Sequence, residues 1–303
     1  MRIKIFATYF GELPPYFPLW LKSCQMNSGV DFVLLTNNRV DNLPKNVEVC
    51  TVEFKNFCNY ISNTLNMDVR IDNPYKLCDF RPAFGEIFKD MLNGYDYWGH
   101  CDLDVIFGDL KMFFCTQNIG KYQRFLNKGH LSLYKNEAAM NRLFRSCIPG
   151  IPSYEEIFTT PVHFAFDEGI MDKIMEHRYI TVFRDRIYAD ISPRLTRFTL
   201  ALNDLNYKKQ FFYWDNGKVF RLYSSGREIV REEFIYIHFQ KRGKLYCAVD
   251  PLESRSFSIG PNGFFSLDTT ESFDEKVNRL NPYHGVFFER LEKTAYRLKE
   301  KLK

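Results

Sequence analysis

The chain has 303 residues, 45% of them hydrophobic and 26% charged, which suits one large domain or two small ones with an ordinary core. A net charge of +4 is too mild to argue for a nucleic-acid partner. The eight cysteines form no C-x-x-C pair, so no zinc site is expected; several stand in apolar runs, as Cys50 does in NVEVCTVEF, and read as buried thiols of a reduced, cytoplasmic protein.

Residues 2–9 (RIKIFATY) read as a first strand rather than a signal peptide, and a break follows at Gly11–Pro15. No run of about 18 apolar residues occurs, so no transmembrane helix is expected. Residues 16–27 read as a helix, 31–36 as a strand ending in Asn37–Asn38, and 47–54 as another strand. This β-α-β-β rhythm predicts parallel strands covered on both faces. A helix over 55–67 and the loop IDNPYK follow; Pro82 then stands at the first turn of a helix reaching Leu92, closed by Asn93–Gly94. The run YDYWGHCDLDVIFGDL reads as a strand that turns acidic at its C-terminal end. Beyond residue 110 the rhythm weakens. Residues 129–136 read as a strand, 137–145 as a helix, 164–177 as a strand becoming a helix near Asp167, 218–223 and 233–239 as strands, and 274–303 as a charged helical end.

The fold class expected is α/β, a Rossmann-like mixed and mainly parallel sheet flanked by helices, with a C-terminal helical extension. The expected division is a catalytic domain over 1–250, with a nucleotide-binding half 1–110 and an acceptor half 111–250, then the extension 251–303.

The first chemical candidate is Asp102-Leu103-Asp104. Acids two apart on a strand end point the same way. Together they suit Mg²⁺ or Mn²⁺, or one takes the metal and the other a ribose hydroxyl, with Leu103 counted among the donor-contacting residues. Taken alone, such a pair is as readily an acidic turn. Context favours a site, because charges ending a buried strand need a partner and ligands of open α/β sheets bind at the carboxyl ends of strands. Asp109, after Gly108, reads as a helix N-cap.

The second candidate is PYKLCDFRPAFGEIF (74–88), where Lys76, Asp79 and Arg81 precede a proline-started helix and suit a diphosphate, or equally form a surface salt bridge. Thr8, Tyr9, Thr36 and Asn37 end the first two strands, where a base and ribose would lie; each is also an ordinary turn former. In HFAFDEGI (163–170), Asp167 or Glu168 is a candidate general base, with a helix cap as the alternative. In YIHFQKRGK (236–244), His238 is a candidate metal ligand and Lys241 a phosphate ligand, with a strand-end histidine before a solvated basic turn as the alternative.

The string YDYWGHCDLDVIFGDL, preceded by PYKLCDFRPAFGEIF, resembles an incompletely characterised family of GT-A-type glycosyltransferases. Its bacterial and viral members are associated with capsule, lipopolysaccharide or other surface glycans. The similarity runs from residue 2 to about 245 and is most specific over 74–110. It implies a GT-A-like nucleotide-sugar fold, with Asp102 and Asp104 as the D-x-D metal site and Lys76, Asp79 and Arg81 facing the nucleotide. His238 and Lys241 are similar to the metal and phosphate ligands that glycogenin-like transferases place after their last core strand, although the full H-x-x-G-x-K-P-W pattern is absent.

The resulting expectation is a metal-dependent transferase. It moves a sugar from a nucleotide-diphosphate sugar, UDP-linked by preference, to a glycan or lipid-linked acceptor, with Mn²⁺ or Mg²⁺. Lys76, Arg81, His238 and Lys241 add positive charge, and Asp167 or Glu168 serves as base if the reaction inverts. A sugar nucleotidyltransferase is the first rival, but the stretch after the first strand, GELPPYFP, has one Gly and no Lys or Arg for a basic phosphate loop. A non-catalytic glycan-binding module, for which the 17% aromatic residues would form the surface, is the second. The C-terminal VFFERLEKTAYRLKEKLK, with six basic and three acidic residues, reads as a solvated helix packed on the domain, with the inner membrane surface as the alternative.

Overall fold

The computed structural model describes residues 1–201, 205–240, 242, 245–268 and 270–302. The strands among them are, in chain order, β1 (Ile3–Tyr9), β2 (Val30–Thr36), β3 (Val47–Thr51), β4 (Tyr97–Cys101), β5 (Val105–Phe107), β6 (Arg124–Lys128), β7 (Leu131–Lys135), β8 (Val182–Phe183), β9 (Ala189–Asp190), β10 (Gln210–Asp215), β11 (Lys218–Ser225), β12 (Glu228–Phe234), β13 (Tyr236–His238), β14 (Ser256–Gly260) and β15 (Gly263–Ser266). The chain divides into two compact units: Met1–Leu13, Ser28–Leu103 and Phe114–Asp185 form the first; Pro14–Asn27, Asp104–Phe113 and Arg186–Lys303 form the second.

The first unit is built on one seven-stranded sheet in the order β3-β2-β1-β4-β7-β6-β8. β1 runs parallel to β2 and β4, β2 to β3, and β6 to β8, while β7 is antiparallel to both neighbours. The expected mixed, mainly parallel α/β sheet is therefore present. β1 and β2 are apolar at almost every position because both faces are covered: Ile3, Ile5, Phe6, Ala7, Phe32, Val33, Leu34 and Leu35 are all buried. The helix Phe54–Leu65 shows the other periodicity, burying Phe57, Ile61 and Leu65 as one stripe, and it ends at Asn66 in the left-handed conformation (φ 49°). Aromatic contacts fill the core: Phe6 stacks on Phe88 and Trp98 on Tyr134, each with centroids 4.5 Å apart.

The second unit carries an antiparallel five-stranded sheet, β12-β11-β10-β14-β15, and a small sheet β5-β13-β9. The helix Phe17–Gln25 belongs to it, and the Asn27 side chain just beyond that helix bonds both Gly108 O (2.8 Å) and the N–H of Leu110 (2.9 Å). Trp214 Nε1 donates to Phe107 O at 3.0 Å. Residues 251–303 contain β14 and β15, then the helices Phe273–Leu280, opened by a Ser272–Glu275 capping box, and Val286–Lys301.

Four sequence expectations change. The run YDYWGHCDLDVIFGDL is two strands in two sheets: β4 ends at Cys101, the chain bends, and β5 begins at Val105. Asp102 and Asp104 thus lie outside any strand, and the same-face argument of a continuous strand does not apply. The helix expected over 82–92 is a 3₁₀ stretch (Pro74–Ala83), a single α-turn (Phe84–Ile87) and another 3₁₀ turn (Lys89–Leu92). No strand forms at Phe164; the chain enters a π-turn over Phe166–Ile170, because the N–H groups of Phe164 and Phe166 donate to the Asp79 carboxylate instead of a neighbouring strand. The run 233–239 splits at Ile235, whose N–H donates to Ile187 O, so β12 stays in the hairpin with β11 while β13 joins β5 and β9.

Candidate functional site

In the first unit the sheet grows outward from β1 in both directions: β2 and β3 on one side, then β4 on the other. The strand order therefore reverses at the β1–β4 pair, and the carboxyl ends at such a reversal are where open α/β sheets bind ligands. Register places the candidates along that edge. Ala7 pairs with Cys101, so Asp102 follows the end of β4 where Thr8 continues β1, and Tyr9 pairs with Thr36. Asn37 Oδ1 accepts the N–H of Gly11 at 3.0 Å, Asn38 Nδ2 bonds Thr36 Oγ1 at 2.9 Å and Gly11 O at 2.6 Å, and the Tyr9 hydroxyl donates to Glu12 O at 3.2 Å. These side chains clasp the turn after β1. The Thr36 side chain is buried, and so is that of Leu103.

Lys76, Asp79 and Arg81, expected together, are separated by the 3₁₀ geometry. Three residues per turn bring Lys76 and Asp79 onto one face, where Lys76 Nζ donates to Asp79 Oδ2 at 2.8 Å and to Ile157 O at 2.8 Å. Their side chains are 1% and 0% exposed, out of reach of a ligand, and they tie this turn to the 157–166 segment. Of the three, Arg81 is the one that reaches Asp102. Its Nη2 donates to Asp102 Oδ1, and its Nη1 to Gly129 O at 2.9 Å and to Asp167 Oδ2 at 3.0 Å.

Asp167 and Glu168 lie on the π-turn. Glu168 Oε1 accepts the N–H of Gly129 at 2.8 Å. The His100 ring, fully buried, meets Gly129 O through Nδ1 at 3.0 Å, which with Nδ1 as donor makes that carbonyl a shared acceptor for His100 and Arg81. A Cβ at Gly129 would lie 2.9 Å from Asp167 Oδ2 and 3.2 Å from Glu168 Oε1, so a side chain there would displace the ends of these acids. Burial raises the Asp167 carboxyl to about 6; Arg81 opposes this, and Glu168 and Asp102 reinforce it. Burial would lower the Arg81 guanidinium, but Asp102, Cys78 and Asp167 outweigh it and hold it well above its ordinary value. Asp167 and Asp102 thus share Arg81. Beside this cluster the exposed Tyr75 ring lies against His163, centroids 4.6 Å apart, and burial lowers the His163 imidazole.

In the second unit His238 ends β13, next to Val105 of β5 and Asp190 of β9. Its Nε2 is 3.4 Å from Asp104 Oδ1, and its Nδ1 is 2.9 Å from Asp190 Oδ1. Burial would lower this imidazole; Asp104 and Asp190 outweigh it and raise it to about 10. The donor set fits a hard divalent cation. A carboxylate and an imidazole nitrogen 3.4 Å apart approach the spacing of adjacent ligands, about 3 Å for bonds of about 2.1 Å at right angles. A cation on Nε2 competes with the proton there. Lys241, the expected phosphate ligand, lies outside the described residues.

Residues 5–268 match the model of a family of unknown function, DUF6625, a span of most of the chain. The chain belongs to DUF6625. Curated proteins yield no match. Solved structures similar to this DUF6625 chain include the galactosyltransferase LgtC in complex with donor and acceptor sugar analogs: 11% identity, 62% of this chain, 75% of that one, TM-score 0.35. Mouse xyloside xylosyltransferase 1 is similar at 7% identity, 63% and 88% coverage, and TM-score 0.38. The glycosyltransferase GlyE of Streptococcus pneumoniae is similar at 11% identity, 62% and 46% coverage, and TM-score 0.33. Likeness at this level assigns no activity to the DUF6625 chain.

Sequence reading did not single out Asp190, Gln240, Tyr75 or His163. Asp190 stands 48 residues before His238 in IYADIS, with no motif around it, and only strand pairing brings the two together.

Proposed function

We propose that this DUF6625 chain is a metal-dependent glycosyltransferase of GT-A-like fold. In this reading it moves a sugar from a nucleotide-diphosphate sugar, such as a UDP-sugar, to a glycan or lipid-linked acceptor in surface-polysaccharide synthesis. The observation that carries the reading is Asp102 at the strand-order reversal beside β1, held by an arginine that also holds Asp167.

By the D-x-D pattern Asp102 and Asp104 are the acids that would hold Mn²⁺ or Mg²⁺, and in the second unit His238 lies beside Asp104 as a further ligand. A divalent ion held by these residues would supply positive charge against the departing nucleoside diphosphate. Thr8, Tyr9 and Asn37 line the edge where base and ribose would lie. Arg81 holds Asp102 in place and adds positive charge beside it. The acceptor hydroxyl attacks the anomeric carbon as the sugar–phosphate bond breaks. Glu168, half-exposed, is better placed than the buried Asp167 to take the acceptor proton in an inverting reaction, and in a retaining one these acids contact the donor sugar. The halves 1–110 and 111–250 as donor and acceptor regions, and a cytoplasmic location, belong to the same proposal.

The helix Val286–Lys301 leaves Phe287, Phe288, Leu291 and Leu298 exposed, which supports contact with the inner membrane surface near a lipid-linked acceptor. Among the described residues no helix is long and apolar enough to cross a membrane.

The test is metal-dependent hydrolysis of a panel of UDP-, GDP- and dTDP-sugars by the wild-type chain and by Asp104→Ala. Loss of about 100-fold or more in the variant is expected, the scale seen when one transition-state charge contact is removed. Full activity in Asp104→Ala sinks the proposal.

A further inference from the structure

β13 and β9 run parallel with His238 opposite Asp190, and the N–H of Ile191 donates to His238 O at 2.8 Å, so the two side chains meet by backbone pairing. The imidazole Nδ1 lies 2.9 Å from Asp190 Oδ1, a normal hydrogen bond. Asp190 is itself held: Gln240 Nε2 donates to the same Oδ1 at 2.9 Å, and the N–H of Ala201 donates to Asp190 O at 2.8 Å. On the other side of the ring the Nε2–Asp104 Oδ1 separation is 3.4 Å, long for a direct hydrogen bond and close to that of two ligands on one ion. The ring is buried, so solvent does not compete for its orientation.

We propose that Asp190, steadied by Gln240, is a positioning residue for His238. It takes the Nδ1–H, fixes the tautomer that presents Nε2 toward Asp104, and makes the imidazole a stronger donor to a divalent cation. This rests on the reading of Asp104 and His238 as metal ligands. A carboxylate bonded to the far nitrogen of a metal-binding histidine fixes its ring and raises its basicity, and losing one weakens metal binding about 10- to 100-fold. Turning the ring by half a revolution would put carbon atoms against both carboxylates, and the Asp190 hydrogen bond prevents it.

The experiment titrates Mn²⁺ alone into the full chain, reading free Mn²⁺ by electron paramagnetic resonance and unfolding temperature by calorimetry. The variants are His238→Ala, Asp190→Ala, Asp190→Asn and Gln240→Ala. Asp190→Ala is expected to bind Mn²⁺ about 10- to 100-fold more weakly than wild type. Asp190→Asn keeps an oxygen for the Nδ1–H but loses the charge, so it is expected to fall between wild type and Asp190→Ala, a partial rescue that bulk destabilisation would not produce. Gln240→Ala is expected to lose less than Asp190→Ala. If wild type and His238→Ala differ but Asp190→Ala binds like wild type, the positioning role is wrong and the metal reading stands. If Asp190→Ala fails to fold, Gln240→Ala decides: wild-type affinity in it overturns the role. If wild type binds no Mn²⁺, or binds it as His238→Ala does, the metal reading fails and the positioning role with it.

Discussion

Lys76 and Asp79 show how far a residue's role depends on its surroundings. Both types suit a diphosphate site on sequence grounds, yet the 3₁₀ stretch turns them inward, and Asp79 also accepts the N–H groups of Phe164 and Phe166. Removing one partner of a buried pair leaves the other charge uncompensated and costs about 3–5 kcal/mol. Asp79→Ala is therefore expected to lower stability to urea by about that amount and to loosen the 157–166 segment, read by hydrogen exchange. A loss below about 1 kcal/mol would mean the pair is solvated in solution. Gly129→Ala is the matching test in the Arg81 cluster. Its Cβ would press on Asp167 and Glu168, so a loss of about 1–3 kcal/mol together with reduced transfer is expected. These two roles were not legible in the sequence, because spacing along a chain does not say which side of a turn faces the interior.

The π-turn Phe166–Ile170 belongs to the scale of elements, since it brings Asp167 to Arg81 and Glu168 to Gly129. Apolar residues around the acids read equally as strand or helix; a side-chain acceptor, Asp79, diverts the backbone donors and settles the matter. The element has a pH signature. Arg81, Glu168 and Asp102 are the charged groups that act on Asp167, whose carboxyl is raised from 3.8 to about 6, chiefly by burial. A raised carboxyl binds more protons in the folded than in the unfolded chain, so its contribution to stability is fully present below pH 3.8 and is lost as pH rises through about 6. Comparing wild type with Asp167→Asn, the wild-type advantage is expected to fall by at most about 1.4 kcal/mol per pH unit across that window. Denaturant melts at several pH values measure it. A wild-type advantage that grows with pH would show that pairing with Arg81 outweighs burial.

At the scale of the whole molecule, the helix Val286–Lys301 turns two acids toward the rest of the second unit: Glu289 to Arg197 at 3.3 Å and Glu292 to the N–H of Thr196 at 3.2 Å. Arg290, Arg297 and Lys299 lie exposed with the exposed Phe and Leu side chains. Vesicles rich in anionic lipid are therefore expected to co-sediment the chain, each exposed cation adding about 1 kcal/mol at low salt, and deletion of 286–303 is expected to abolish this. An intact chain that stays in the supernatant removes the membrane contact. By itself the sequence pointed to the parallel strands of the first unit, because burial on both faces writes β1 and β2 as short, mostly apolar runs of β-forming residues. It also determined that Asp102 follows a buried strand. Only the tertiary structure decided that the D-x-D segment is a bend leading from one sheet to another, that Asp102 answers to Arg81 while Asp104 answers to His238, and that Asp190 belongs beside that histidine. The reason is physical: hydrogen-bond partners tens of residues apart are chosen by strand pairing and burial, and neither leaves a local pattern in the chain.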